Sequence, residues 1–276
     1  MKILITGHKG FIGKNLFNFL KNKNIEVDGF DKKKNFNIPS IKNYDWVIHL
    51  GANSSTVEKN VKKILDQNYF FSVALLNLCL KHNINFQYAS SASIYDKEFG
   101  FKETSKCLPV SPYSWSKYLF DIYVEKLKHR NIIQGFRYFN VYGNNENNKK
   151  EQASPIYKFY KNSILKNEIK LFKNSHKYKR DFVCINDICD IHYKMLFQKK
   201  SGIYNIGTGR SVSFKKIATL IAKKNKAKIK YISMPENLKK HYQTFTKAEN
   251  KKITKLLKIK WHRVEDYIKK NNNFLI

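Results

Sequence analysis

The chain has 276 residues, 42% of them hydrophobic, and a formal charge of +32, a size that buries one core, or one domain with a smaller lobe built on it. No run approaches the ~18 to 20 apolar residues of a membrane span; MKILITGHKG enters a strand-like pattern without a signal-peptide layout, so a cytoplasmic globular protein is expected. The charge raises nucleic acid as a partner, but only five of the 53 basic residues are arginine (Arg130, Arg137, Arg180, Arg210, Arg263) and the lysines run the whole length, which argues for solvated surface positions and an anionic small-molecule partner drawn in by steering.

Short strand-like runs then alternate with helix-period stretches. In order they are KILIT, a helix over Phe11–Lys23, IEVDGF, DWVIHL, a helix around Asp66–His82, NFQYASS, a helix over Ser114–His129, and IIQGFRYFNV. Alternation of this kind predicts parallel βαβ units, and runs such as DWVIHL are apolar on both parities, as strands covered on both faces should be. The predicted fold is α/β, a doubly wound parallel sheet. After Tyr142 the regularity breaks into the polar loop YGNNENNKKEQAS, in which Asn144–Asn148 reads as compositional filler. A helix over Pro155–Lys166, the segment RDFVCINDICDIHYKMLF, the strand GIYNIG, and C-terminal helices with the strand IKYISM follow. These predict a smaller C-terminal lobe, with the chain returning to the sheet near Asp181–Gly207.

The first strand ends in TGHKGFIG, which places Gly7, Gly10 and Gly13 in a turn that opens a helix. Gly7 permits the tight turn, Gly10 lets the backbone approach a pyrophosphate, and Gly13 allows close helix packing, with the helix N-terminus facing the phosphates. Asp31, 18 residues past Gly13 at the end of the second strand, stands where a ribose 2′-hydroxyl is held. A carboxylate there favours NAD, whereas Lys9 in the turn and Lys32, Lys33 and Lys34 after Asp31 favour a 2′-phosphate. NADP is the expected cofactor and NAD the alternative.

Tyr113 and Lys117 form Y-x-x-x-K in PYSWSKYLFDIYV, one helical turn apart on one face. Roughly three such pairs arise by chance in so tyrosine- and lysine-rich a chain, and a second stands at Tyr157 and Lys161. What distinguishes the first is Ser91 in YASSAS, at the strand end where such sheets bind ligands. A neighbouring ammonium favours the phenolate of a tyrosine that is otherwise a poor base, and Ser91 can hydrogen-bond the oxygen on the carbon that exchanges hydride. The cysteines, Cys79, Cys107, Cys184 and Cys189, form no CxxC pair; they read as reduced small hydrophobes, and no metal site is expected.

TGxxGFIG, SSA and YxxxK in this order resemble the extended short-chain dehydrogenase/reductase superfamily. GANSST, DQNYFFS, YASSASIY, YSWSKYLFD, GFRYFNVYG, KRDFV, GIYNIGTGRSVSF and HYQTFTKAE resemble the ADP-L-glycero-D-manno-heptose 6-epimerase family nearly end to end. The resemblance implies a Rossmann domain that binds NADP (residues 1–142 plus 181–207) and a substrate-binding lobe (143–180 plus 208–276). It implies a reaction in which C6″ of a nucleotide-diphosphate heptose is oxidised to a transient ketone and reduced on its opposite face, and a homo-oligomer, pentameric in the family. Two acid/base groups serve such a reaction: Tyr113, with Lys117 and Ser91 beside it, and Lys149, six residues beyond Gly143. Substrate contacts carry over to Ser91, Asn140, Phe172, Ser175, Arg180 and Tyr242. Cofactor contacts carry over to Phe11, Ile12, Asp31, Leu50, Gly51, Ala52, Asn53, Ser54, Asn68, Lys117 and Val141.

The chain departs from the family in a shortened segment after Asp31, in His8-Lys9 within the glycine turn, and in Lys150, Glu151 and Lys158 after Lys149. Two other readings therefore stand beside the heptose epimerase: another nucleotide-sugar oxidoreductase of the superfamily (a 4-epimerase, dehydratase or reductase), and a non-catalytic polyanion-binding protein.

Overall fold

The computed structural model describes residues 1–31, 38–56, 58–239 and 242–270. Two compact units emerge, one of Met1–Tyr138 with Cys189–Asn205, the other of Phe139–Ile188 with Ile206–Ile276.

The first unit is built on β1 (Lys2–Thr6), β2 (Glu26–Phe30), β3 (Trp46–His49), β4 (Asn85–Ser91) and β5 (Ile133–Tyr138), with α1 (Phe11–Lys21) after β1. Every pairing in the order β2-β1-β3-β4-β5 is parallel. A later strand, Gly202–Ile206, extends the sheet beyond β5. The apolar runs behave as expected: β3 and β5 are buried along their whole length, whereas the edge strand β2 buries only Val27. The order of strand addition reverses at β1 and β3, β2 lying on one side of β1 and β3 to β5 on the other; the crevice at such a switch point is where open α/β sheets take ligands. This is a Rossmann-type sheet, and a smaller C-terminal lobe follows it.

Between β3 and β4 the expected single helix is three pieces: α2 (Val61–Leu65), a π-helical turn (Asp66–Phe70) and α3 (Phe71–Lys81). The helix before β5, α4 (Pro112–Lys126), starts at a capping box in which Ser111 and Ser114 each accept from the other's backbone, with Pro112 at the first helical position. Leu75, Leu76 and Cys79 of α3 and Phe120 and Val124 of α4 pack with Val47, Phe86, Tyr88 and Ile133 of the sheet as one core.

In the second unit β6 (Asn140–Tyr142) leads through the polar loop to α5 (Pro155–Leu165), capped by Ser154. β7 (Glu168–Phe172) and β8 (Lys179–Cys184) follow; the chain then returns to the first unit for most of α6 (Ile185–Leu196) and of β9 (Gly202–Ile206), and the second unit resumes with β10 (Ser211–Ser213), α7 (Phe214–Asn225) and β11 (Lys228–Ile232). Three short helices, α8 (Glu236–Lys239), α9 (Lys251–Leu257) and α10 (Val264–Lys270), come last among the described residues. β8 pairs with β6 and β10 in a three-stranded sheet, and β7 pairs with β11. The core of this unit gathers Tyr142, Ile156, Tyr160, Phe182, Phe214, Ile217 and Ile268. Among the described residues no helix is long and apolar enough to cross a membrane.

Candidate active site

The glycine turn sits at the β1/β3 crevice. Gly7 has φ +75°, and a Cβ on it would lie 2.5 Å from the Gly51 nitrogen, so the ends of β1 and β3 meet backbone to backbone. A Cβ on Gly13 would overlap the Gly7 carbonyl, so α1 closes on the turn only with glycine there. Gly10 is the N-cap of α1 and no side chain caps that end; Phe11 and Ile12 open its first turn. The first-turn N–H groups and the close backbone approach suit a pyrophosphate, and this cradle fits a dinucleotide.

Asp31 accepts from the backbone N–H of Lys9 at 2.7 Å. Its Oδ2 also lies 2.9 Å from His8 Nδ1, at ion-pair distance but without hydrogen-bond alignment. The His8 ring covers Gly29, where a Cβ would meet it at 2.4–2.7 Å. Lys9 is exposed and meets Asp31 through its backbone. Lys32, Lys33 and Lys34 lie outside the described residues.

The segment Leu50–Ser54 leaves β3 beside this turn. Asn53 donates its N–H to Asn68 Oδ1 at 2.7 Å, and Asn68 Nδ2 donates to Asn53 O and to Ser116 Oγ, both at 3.0 Å. Ser116 Oγ in turn donates to Tyr113 O at 2.7 Å. Asn68, on the π-turn and 1% exposed, thus joins the Gly51–Ser54 loop to the helix that carries Tyr113. Nothing in the sequence pattern marks His49, a lone polar residue in an apolar strand. It is buried, with Nδ1 2.6 Å from Thr6 Oγ1 and Nε2 2.8 Å from Ser72 Oγ, while Ser72 Oγ donates to Asn68 O. Burial, and secondarily the Lys117 charge, lower its pKa to about 3, so the ring is neutral.

Ser91, Tyr113 and Lys117 are brought together at the end of β4 and the start of α4. Burial raises the Tyr113 pKa and the Ser91 hydroxyl lowers it. The Lys117 ammonium donates to Ala89 O at 2.8 Å and lies 6.0 Å from the Tyr113 ring centroid. Burial lowers its pKa to about 8 against the opposing pull of Asp121. The arrangement can hold a phenolate beside a cation and offer a hydroxyl to a reacting oxygen. The other Y-x-x-x-K pair has Tyr157 buried and Lys161 exposed on α5.

In the second unit Arg180 is 7% exposed, with its guanidinium 5.3 Å from the Tyr242 ring and 5.4 Å from that of Phe214. It donates to Lys179 O and Gln243 O, and among the described residues it has no carboxylate partner. Of the HYQTFT segment, Thr244–Thr246 runs along β8, Lys179 N–H donating to Thr244 O and Thr246 N–H to Lys179 O, and Tyr242 lies over Arg180. Phe172 meets Tyr242 edge-on at 6.4 Å. Ser175, 2% exposed, donates its N–H to Phe172 O, while among the described residues its hydroxyl has no hydrogen-bond partner. Asn140 and Val141 pair with Phe182 and Val183 across β6 and β8.

Lys149 lies in a 3₁₀ turn, Asn147–Gln152. Burial lowers its pKa, Glu146 raises it and Lys158 lowers it further. The filler reading of Asn144–Asn148 is corrected by Glu146, which is fully buried and accepts from Gly143 N, Ser154 N and Ser154 Oγ at 3.0, 2.6 and 2.9 Å. An acid in a run of asparagines gives no periodic signal. The side chains of Lys150 and Glu151 lie outside the described residues.

The sequence matches the NAD dependent epimerase/dehydratase family over residues 3–207, more than half of the chain. The fold is similar to that of ADP-L-glycero-D-manno-heptose-6-epimerase from Helicobacter pylori, with 27% identity, a TM-score of 0.86, and 97% of this chain and 94% of that chain covered. UDP-N-acetylglucosamine 4-epimerase from Methanobrevibacter ruminantium M1 shares the fold at a TM-score of 0.84, with 19% identity and 97% and 95% covered. UDP-glucose 4-epimerase from Thermotoga maritima does so at 0.80, with 20% identity and 92% of each chain covered. With its glycine cradle at the sheet's switch point and its Ser91, Tyr113 and Lys117 group beside β4, the chain belongs to the NAD-dependent epimerase/dehydratase family.

Proposed function

We propose that this protein is an NAD(P)-dependent oxidoreductase of nucleotide-activated sugars, of the epimerase or dehydratase type. The observation that carries this reading is the Ser91, Tyr113 and Lys117 group in the same unit as the glycine cradle. The turn of Gly7, Gly10 and Gly13 would hold NAD(P), which would supply reversible hydride transfer at a sugar carbon. Tyr113 takes the proton from the hydroxyl on that carbon, and Ser91 hydrogen-bonds the same oxygen. Burial alone disfavours the Tyr113 phenolate; the Lys117 ammonium offsets that penalty. Arg180, stacked on Tyr242 and without a carboxylate partner among the described residues, serves as the cation for the substrate's diphosphate.

The finer reading is inversion of C6″ of an ADP-heptose with NADP, with Lys149 as the second acid/base group, in a homo-oligomer. It is supported by the 27% identity to the H. pylori heptose epimerase and by the burial that moves Lys149 toward its neutral form. Asp31, with its bond to the glycine turn, favours NAD and is the observation on the other side. Mass spectrometry of the cofactor released from purified protein distinguishes NADP from NAD. NMR of the two C6″ epimers with wild type and Lys149→Met tests the sugar and the second base. Exchange lost in the variant supports the heptose epimerase. A 4-epimerase or reductase, in which hydride returns beside Tyr113 alone, keeps its turnover on its own substrate in that variant.

A further inference from the structure

We propose that Asp121, held by Arg137, is a positioning residue for the Ser91, Tyr113 and Lys117 group. The inference rests on the reading of that group as the acid/base centre. Tyr113, Lys117 and Asp121 follow one another at four-residue spacing on α4, so they share a face. Lys117 donates to Ala89 O at 2.8 Å. Asp121, fully buried, accepts from the Ser90 hydroxyl at 2.9 Å, from the Tyr88 hydroxyl at 3.0 Å and from Arg137 Nε at 2.7 Å. Two successive turns of α4 therefore grip three successive residues of β4, and the next residue of that strand is Ser91.

Arg137 completes the device from β5, where it pairs in register with Ser90. It is 2% exposed and donates from one terminal nitrogen to the Tyr95 hydroxyl at 2.8 Å and to Glu103 O at 2.9 Å. The Tyr95 hydroxyl in turn donates to Asn205 Oδ1 at 2.8 Å. Among the described residues, the Tyr88 and Ser90 hydroxyls and the Arg137 guanidinium thus all donate to the Asp121 carboxylate. The titratable groups facing Lys117 are Tyr113 and Asp121 on its own helix and His49 on β3; through Asp121 they extend to Tyr88 on β4 and Arg137 on β5. His49 is held neutral between Thr6 and Ser72, so the carboxylate of Asp121 is the charge that keeps the buried ammonium protonated. A protonated Lys117 is what favours the Tyr113 phenolate.

The test is a pH titration of the Lys117 ammonium by lysine side-chain NMR, with the resonance assigned from Lys117→Arg. It compares wild type with the double variant Asp121→Asn/Arg137→Gln, which removes both charges at nearly constant shape and so avoids stranding a buried guanidinium. Ser90→Ala, which strips one donor and leaves the charges in place, provides a milder folded variant. The expected result is a Lys117 midpoint about one pH unit lower in the double variant and nearly unmoved in Ser90→Ala, where the Asp121 charge stays in place. A midpoint unchanged in the double variant, or lowered as far in Ser90→Ala as in the double variant, overturns the proposal. Turnover of Tyr113→Phe tests the underlying reading separately: wild-type turnover in that variant removes the acid/base centre and the proposal with it.

Discussion

Lys149 donates its backbone N–H to the carbonyl of Glu146 at 2.9 Å, and the buried Glu146 carboxylate opposes the effect of burial on the Lys149 ammonium. The same carboxylate ties Gly143 to Ser154, so one side chain fixes the loop and the charge state of its lysine. Glu146→Gln removes the charge that raises the Lys149 pKa, so Lys149 will titrate at lower pH in that variant. Glu146→Ala will also cost stability, about 1–3 kcal/mol for each buried donor left unpartnered. Denaturant melts of both variants and a pH profile of turnover check this; a profile unmoved in Glu146→Gln contradicts the coupling.

Lys117 predicts a pH-dependent stability. Its pKa is about 8 in the fold against 10.5 for the free side chain. Between those values the unfolded state binds more protons, so stability rises with pH through that window and is level, at its lower value, below about 8. The full amplitude is about 3 kcal/mol. Lys117→Met lacks this contribution: its melting curves, measured from neutral pH upward, will not share the wild-type rise, and its turnover will be lost. Parallel curves contradict the assignment of a depressed pKa.

Gly13→Ala will lose cofactor without losing the sheet, because the added methyl overlaps the Gly7 carbonyl and must push α1 away from the turn. A drop in NAD(P) affinity of about 100-fold or more is expected, since it corresponds to about 3 kcal/mol. Calorimetric titration with NAD and NADP reads it; an unchanged affinity places the pyrophosphate elsewhere.

Arg180→Lys will weaken substrate binding more than catalysis. Lysine keeps the charge but loses the planar fork and the stacking on Tyr242 and Phe214. KM for the nucleotide sugar is expected to rise about tenfold or more, the loss of one charge-assisted hydrogen bond, with kcat nearly held. An equal fall in kcat at constant KM contradicts a diphosphate-binding role.

Much of this architecture is legible in the chain itself. β1, β3 and β5 read as strands because burial on both faces puts apolar residues on both parities of each run, despite His49 in β3 and Gln134 and Arg137 in β5, and the three glycines read as a turn because only glycine fits Gly7 and Gly13. The π-turn at Asp66–Phe70 is not legible, since its register is set by the bonds of Asn68 to Asn53 and Ser116, residues distant in sequence. Helix ends are short of the periodic pattern for a similar reason. α1 stops at Lys21 where Asn24 turns left-handed at φ 55°, two residues before the pattern runs out. Tyr113, Lys117 and Ser91 are legible as a set from their order. Asp121, Arg137, His49 and Glu146 are not, because a buried polar residue in a strand, helix or loop looks like any other polar residue until its partners are known.

Turnover of ADP- and UDP-sugars by wild type and Tyr113→Phe, followed by NMR of the sugar, tests the central claim most directly. Conversion of a nucleotide sugar by the wild type, reduced about 100-fold or more in the variant as expected for loss of an acid/base group, is the predicted result. Wild-type rates in Tyr113→Phe would contradict it, as would salt-sensitive polyanion binding by a wild type that converts no nucleotide sugar.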